Sequence, residues 1–119
     1  MLDLGAGPGT AFFAATEIFP ALQQATLLEA DESWLALGKR LAEQSPALAA
    51  RQALWLRHDL RTGLSCEPHD LVVLSYTLGE LSQSAAEAMV RQAWNCARKF
   101  WMIQLHSLLK RWNWLRVLL

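Results

Sequence analysis

The 119-residue chain has two cysteines, Cys66 and Cys96, and no C-x-x-C pair. That spacing points to neither a disulfide scaffold nor a zinc site, and it fits a reducing, cytosol-like compartment best. The three histidines, His58, His69 and His106, lack metal-ligand spacing and read as loop or surface residues. No apolar run approaches the roughly 20 residues needed to cross a bilayer. No charged start, apolar stretch and small-residue cleavage site mark a signal peptide. No internal repeat or low-complexity linker interrupts the chain. Acidic residues are missing altogether after Glu87, where Arg91, Arg98, Lys99, Lys110, Arg111 and Arg116 follow. That stretch is either a polyanion-binding patch or a solvated face with its acidic partners elsewhere.

What is present describes a packed domain. Hydrophobic residues make up 53% and charged residues 18%, which excludes a disordered chain. Eleven basic residues balance eleven acidic ones, so the molecule as a whole carries no strong field towards nucleic acid or membrane. The length suits one modest core. Met1 abuts what reads as the first strand and the chain stops in Leu115-Arg-Val-Leu-Leu119, which predicts a piece of a longer protein or one with altered ends.

Strand and helix signals alternate, predicting a parallel α/β sheet. Residues 1–4 read as the stub of a first strand and 5–9 as a glycine loop. A helix is expected from about Thr10 to Ile18, before Pro20. The second strand is Ala25–Ala30, followed by a helix over Glu32–Glu43 with Asp31 as N-cap. A third strand is placed near Ala53–Arg57, then a polar loop from His58 to His69. The fourth, Asp70–Tyr76, is nearly all apolar, as in a strand covered on both faces. A third helix is expected over Ala85–Lys99, with Ser84 and Glu87 at capping-box spacing and an apolar stripe of Met89, Val90, Ala93, Trp94 and Ala97. Phe100–Leu105 reads as a fifth strand. Residues 1–105 would form the core, and 106–119 an amphipathic helix or an aberrant tail.

The chemistry gathers at the strand ends. Gly5, Gly7 and Gly9 alternate where the chain must turn sharply and a nucleoside must approach the backbone. The helix that follows offers free N–H groups to an anion. A dinucleotide fingerprint needs G-x-G-x-x-G, but from Gly5 its last position is Thr10, and the register from Gly7 fails as well. Glu29 ends strand two, 20 residues after Gly9, where a carboxylate accepts hydrogen bonds from ribose hydroxyls. Asp59 follows strand three. Ser75, Tyr76 and Glu80 follow strand four, on the edge where open α/β sheets bind ligands. Tyr76 either stacks on a ligand or packs in the core. No nucleophile and base pair is visible, so no catalytic residue is assigned.

Leu-Asp-Leu-Gly-Ala-Gly-Pro-Gly-Thr (2–10) resembles motif one of the seven-strand methyltransferases. With Leu-Leu-Glu-Ala-Asp (27–31), Leu-Ala-Leu-Gly-Lys-Arg-Leu-Ala (35–42) and above all Ser75-Tyr-Thr-Leu-Gly-Glu-Leu81, residues 2–98 resemble a particular family. It is the methyltransferase-like family associated with the mitochondrial small ribosomal subunit and its bacterial relatives. The resemblance implies an incomplete Rossmann-like class I methyltransferase fold of four to five strands, with S-adenosylmethionine as cofactor. It implies Asp3, Gly5, Ala6, Gly7, Gly9 and Thr10 from the first loop as cofactor-binding residues. Glu29 and Ala30 join them from strand two, Asp59 and Leu60 from the next loop, and Ser75 and Tyr76 from the strand-four end. Asp59 would hold the adenine amino group. The implied partners are RNA or protein of the small ribosomal subunit, in the cytoplasm, with neither DNA nor membrane expected. The implied activity is methyl transfer, with a non-catalytic assembly factor as the alternative. The family's Glu-Pro-Gly-Thr-Pro-like loop after strand five is replaced by Gln104-Leu-His-Ser-Leu-Leu109. Cys66 and Cys96 do not match its metal-binding cysteine cluster.

Overall fold

The computed structural model describes residues 1–103. Five parallel strands form one sheet in the order β3-β2-β1-β4-β5. They are β1 (Leu2–Leu4), β2 (Thr26–Glu29), β3 (Leu54–Arg57), β4 (Val72–Ser75) and β5 (Phe100–Ile103). The helices are α1 (Thr10–Ile18), α2 (Glu32–Glu43), the short α3 (Leu48–Arg51) and α4 (Gln83–Asn95). The expected helix after strand five lies outside the described residues.

Alternation along the strands divides the core in two. Leu2, Leu4, Val72 and Leu74 face α4 and pack with Ala86, Met89, Val90 and Ala93. Leu27, Val73 and Trp55 lie in the other cluster, with Phe12, Ala15 and Leu35 of the helices on that side. Val72, Val73 and Leu74 thus serve both layers, which is why β4 reads as an unbroken apolar run.

The termini of α1 and α2 fall where the sequence places them. Pro20 stops α1, and the Asp31 carboxylate accepts from the backbone N–H of Ser33 and Trp34 at the start of α2. The start of α4 differs from expectation. Ser82, not Ser84, is its N-cap, and the Ser82 hydroxyl accepts from the N–H of Ala85. The capping-box spacing of Ser84 and Glu87 therefore falls inside the helix. Trp94, expected in the apolar stripe, is 56% exposed, because the stripe runs through Ala86, Met89, Val90 and Ala93 instead. The cysteine expectation is also corrected. Cys66 of the β3–β4 loop and Cys96 at the end of α4 are joined as a disulfide, their Cα atoms 5.8 Å apart. A separation of 30 residues hides this proximity, since α4 runs back past that loop. Of the basic stretch after Glu87, Arg98 pairs with Asp70 across 3.0 Å, an acidic partner earlier in the chain.

Candidate functional site

Parallel strands bring every β-to-α turn to one edge of the sheet, and β1 and β4 are adjacent although remote in sequence. The chain leaves β1 towards α1 on one face and leaves β4 towards α4 on the other, which opens a crevice between them. A cavity of about 590 Å³ occupies this edge. It runs from Glu29, His58, Asp59 and Leu60 on the β2–β3 side, past Gly5 to Pro8, to Ser75, Tyr76 and Glu80 beyond β4.

The three loop glycines all have positive φ, but they face different neighbours. A Cβ on Gly5 would run into the side chain of Thr77, whose hydroxyl donates to the carbonyl of Leu4 at 2.9 Å. A Cβ on Gly9 would lie 2.7 Å from the Trp55 ring. A Cβ on Gly7 would meet nothing within 4 Å, so its open side belongs to the cavity. Glu29 holds this loop in shape. One carboxylate oxygen accepts from the N–H of Gly7 at 2.7 Å and the other from the N–H of Asp31 at 2.8 Å. Each oxygen keeps a further acceptor position for a ligand. The first turn of α1, unlike those of α2 and α4, has no side-chain cap, and Thr10 and Ala11 line the cavity. Its N–H groups suit a carboxylate.

On the β3 side, Asp59 accepts from Nε and Nη2 of Arg61 at 2.6–3.1 Å. The Arg61 side chain, then its backbone N–H, holds the Asp59 carboxyl down at about 2. His58, in the loop after β3 as expected, also lines the cavity, its Nε2 2.7 Å from the carbonyl of Gly63.

Ten of the twelve residues named from sequence therefore surround one cavity: Gly5, Ala6, Gly7, Thr10, Glu29, Ala30, Asp59, Leu60, Ser75 and Tyr76. Two do not reach it. Gly9 is turned to Trp55, allowing the loop to close on the core. Asp3 is fully buried in the middle of β1, and neither of its oxygens has a hydrogen-bond partner among the described residues. Burial, and second the charge of Glu29, push its carboxyl up to about 7. Tyr76 is not a core residue, for it is 58% exposed. Sequence reasoning passed over Trp34, Arg61 and Thr77. Trp34 stands half exposed on the first turn of α2, just past Glu29, where an exposed indole was the available signal.

Residues 1–107 match the family described as mitochondrial small ribosomal subunit Rsm22. No curated protein matches the chain in sequence. Among solved structures, the chain is similar to the glycopeptide N-methyltransferase MtfA complexed with sinefungin. The TM-score is 0.69 at 20% identity, over 85% of this chain and 41% of that one. It is also similar to DhpI in a DhpI-SAM-HEP complex, with TM-score 0.73 at 14% identity, over 97% and 50%. A third is SAM-bound CalS10 from Micromonospora echinaspora, an amino pentose methyltransferase, with TM-score 0.66 at 19% identity, over 88% and 42%. The chain thus spans half or less of the length of each of these enzymes, and it shares their Rossmann-like fold.

Proposed function

The chain belongs to the Rsm22 family, and from that premise we propose that its cavity binds S-adenosylmethionine as the cofactor half of a methyltransferase acting on RNA or protein of the small ribosomal subunit. The observation that carries the reading is the Gly7–Glu29 arrangement. A side-chain-free backbone and a carboxylate with acceptor positions to spare line one cavity wall. The uncapped first turn of α1 would take the methionine carboxylate, Glu29 the ribose hydroxyls and Asp59 the adenine amino group. Bound there, the cofactor supplies an already activated methyl group on its sulfonium. The chain's own work is then orientation, which can contribute roughly 7–11 kcal/mol to such a transfer. A general base is dispensable when the acceptor is already nucleophilic. We place the activity with the small ribosomal subunit, in the cytoplasm, on the family resemblance alone, because the Cys66–Cys96 bond removes the cysteine argument for a reducing compartment.

A second reading is a non-catalytic assembly factor that uses the same fold for binding. What favours it is that the family is described as a component of the subunit rather than by a reaction. Transfer of a labelled methyl group to isolated small-subunit RNA and protein by this chain separates the two. Labelling of either fraction supports the enzyme. Stable binding of the subunit with no label transferred selects the assembly factor. The cofactor itself is tested by thermal unfolding of the chain: S-adenosylhomocysteine should raise the melting temperature and NAD should not. The reverse pattern defeats the proposal.

A further inference from the structure

Tyr76 is the one non-glycine residue with positive φ, 64°, among the described residues. A bulky residue in that region is strained by about 1–3 kcal/mol. Packing does not compensate, since the side chain is mostly exposed. The next residue is anchored to β1. Thr77 donates its hydroxyl to the carbonyl of Leu4 and fills the space that a Cβ on Gly5 would take. This fastens the end of β4 to the end of β1. The backbone is turned over the crevice, and Tyr76 is left lining the cavity. Glycine would sit there without strain, so the ring is retained at a cost to the fold.

The position of the ring says what it meets. Asp59 follows β3 and Tyr76 follows β4, three strand spacings apart in the sheet order. That is about 14 Å. An adenine held by Asp59, with its ribose at Glu29, does not extend so far. The group that reaches Tyr76 is the one beyond the ribose, the sulfonium centre. The charges agree. Glu29, Asp31, Asp59 and Glu80 line the cavity against the cation Arg61, and Arg61 is engaged by Asp59. An aromatic face in acidic surroundings attracts a cation.

We propose that Tyr76 is a specificity-determining residue whose ring recognises the positive charge of the sulfonium, so that the site distinguishes S-adenosylmethionine from its neutral product, S-adenosylhomocysteine. This rests on the cofactor reading above.

The test is the ratio of two dissociation constants, measured by calorimetry on the 119-residue chain. Tyr76→Leu should raise the Kd of S-adenosylmethionine relative to that of S-adenosylhomocysteine by roughly three- to tenfold. Sinefungin, which carries an amine in place of the sulfonium, should follow S-adenosylmethionine. Tyr76→Phe keeps the π face and should keep the ratio. Tyr76→Gly removes ring and strain together. It should lose the ratio while melting no lower than the wild type, which guards against a leucine variant that folds poorly. An unchanged ratio in both the leucine and glycine variants overturns the proposal and leaves the cofactor site standing. A wild-type chain that binds neither ligand overturns the cofactor reading and this inference with it.

Discussion

Asp3 pairs in register with Leu27 and Val73 at the centre of the sheet, where its carboxyl has no hydrogen-bond partner among the described residues. In the unfolded chain it ionises near pH 4, to about 3.9. In the folded chain, burial holds it protonated up to about 7. Between those values the folded state keeps a proton that the unfolded state has lost, so stability falls as pH rises and levels off above the folded value. Asp3→Asn should remove that slope. Chemical denaturation at pH 5 and pH 8 checks it, with the wild type expected to lose at least ~2 kcal/mol more than the variant across the interval. Equal losses would mean that Asp3 finds a partner in solution. Single residues were unevenly legible in the sequence. The glycine triplet and Glu29 announce themselves because the alternation of Gly5, Gly7 and Gly9 after a strand and a strand-end carboxylate 20 residues on are local patterns. The burial of Asp3 and the turning of Gly9 towards Trp55 depend on residues far along the chain, which no local pattern encodes.

At the scale of elements, α1 and α2 were readable to the residue because a proline and an Asx cap mark their ends. The start of α4 was not, because Ser82 and Ser84 both suit an N-cap and only the hydrogen bond from the Ala85 N–H to the Ser82 hydroxyl decides between them. Ser82→Ala should therefore cost about 1 kcal/mol, whereas Ser84→Ala should cost much less. Equilibrium unfolding of the two variants tests the assignment, and a larger loss for Ser84→Ala would reverse it. The β3–β4 loop is tied to α4 twice. The Gln92 side chain accepts from the N–H of Leu64 at 2.8 Å, and Cys66 is bonded to Cys96. Closing a loop of 30 residues contributes about 3.6 kcal/mol by restricting the unfolded chain. Under non-reducing conditions, Cys66→Ser should lower the unfolding free energy by about that amount. Added dithiothreitol should bring the wild type to the same value. A wild-type chain with two titratable thiols before reduction would contradict the bond.

For the whole molecule, alternating strands and helices were enough to give a parallel α/β sheet, and the apolar run of β4 gave a strand covered on both faces. The strand order was not derivable from periodicity alone. The adjacency of β1 and β4 creates the crevice, and with it the contact of Thr77 with Gly5. That adjacency turns four separate sequence segments into one cavity, which is the basis for assigning it a cofactor. The most direct test is calorimetric titration of the chain and its Glu29→Ala variant with S-adenosylhomocysteine. The account predicts one site in the wild type and an affinity at least roughly tenfold weaker in the variant, as expected for lost hydrogen bonds to a charged group. Tight binding of NAD with none of S-adenosylhomocysteine would contradict it.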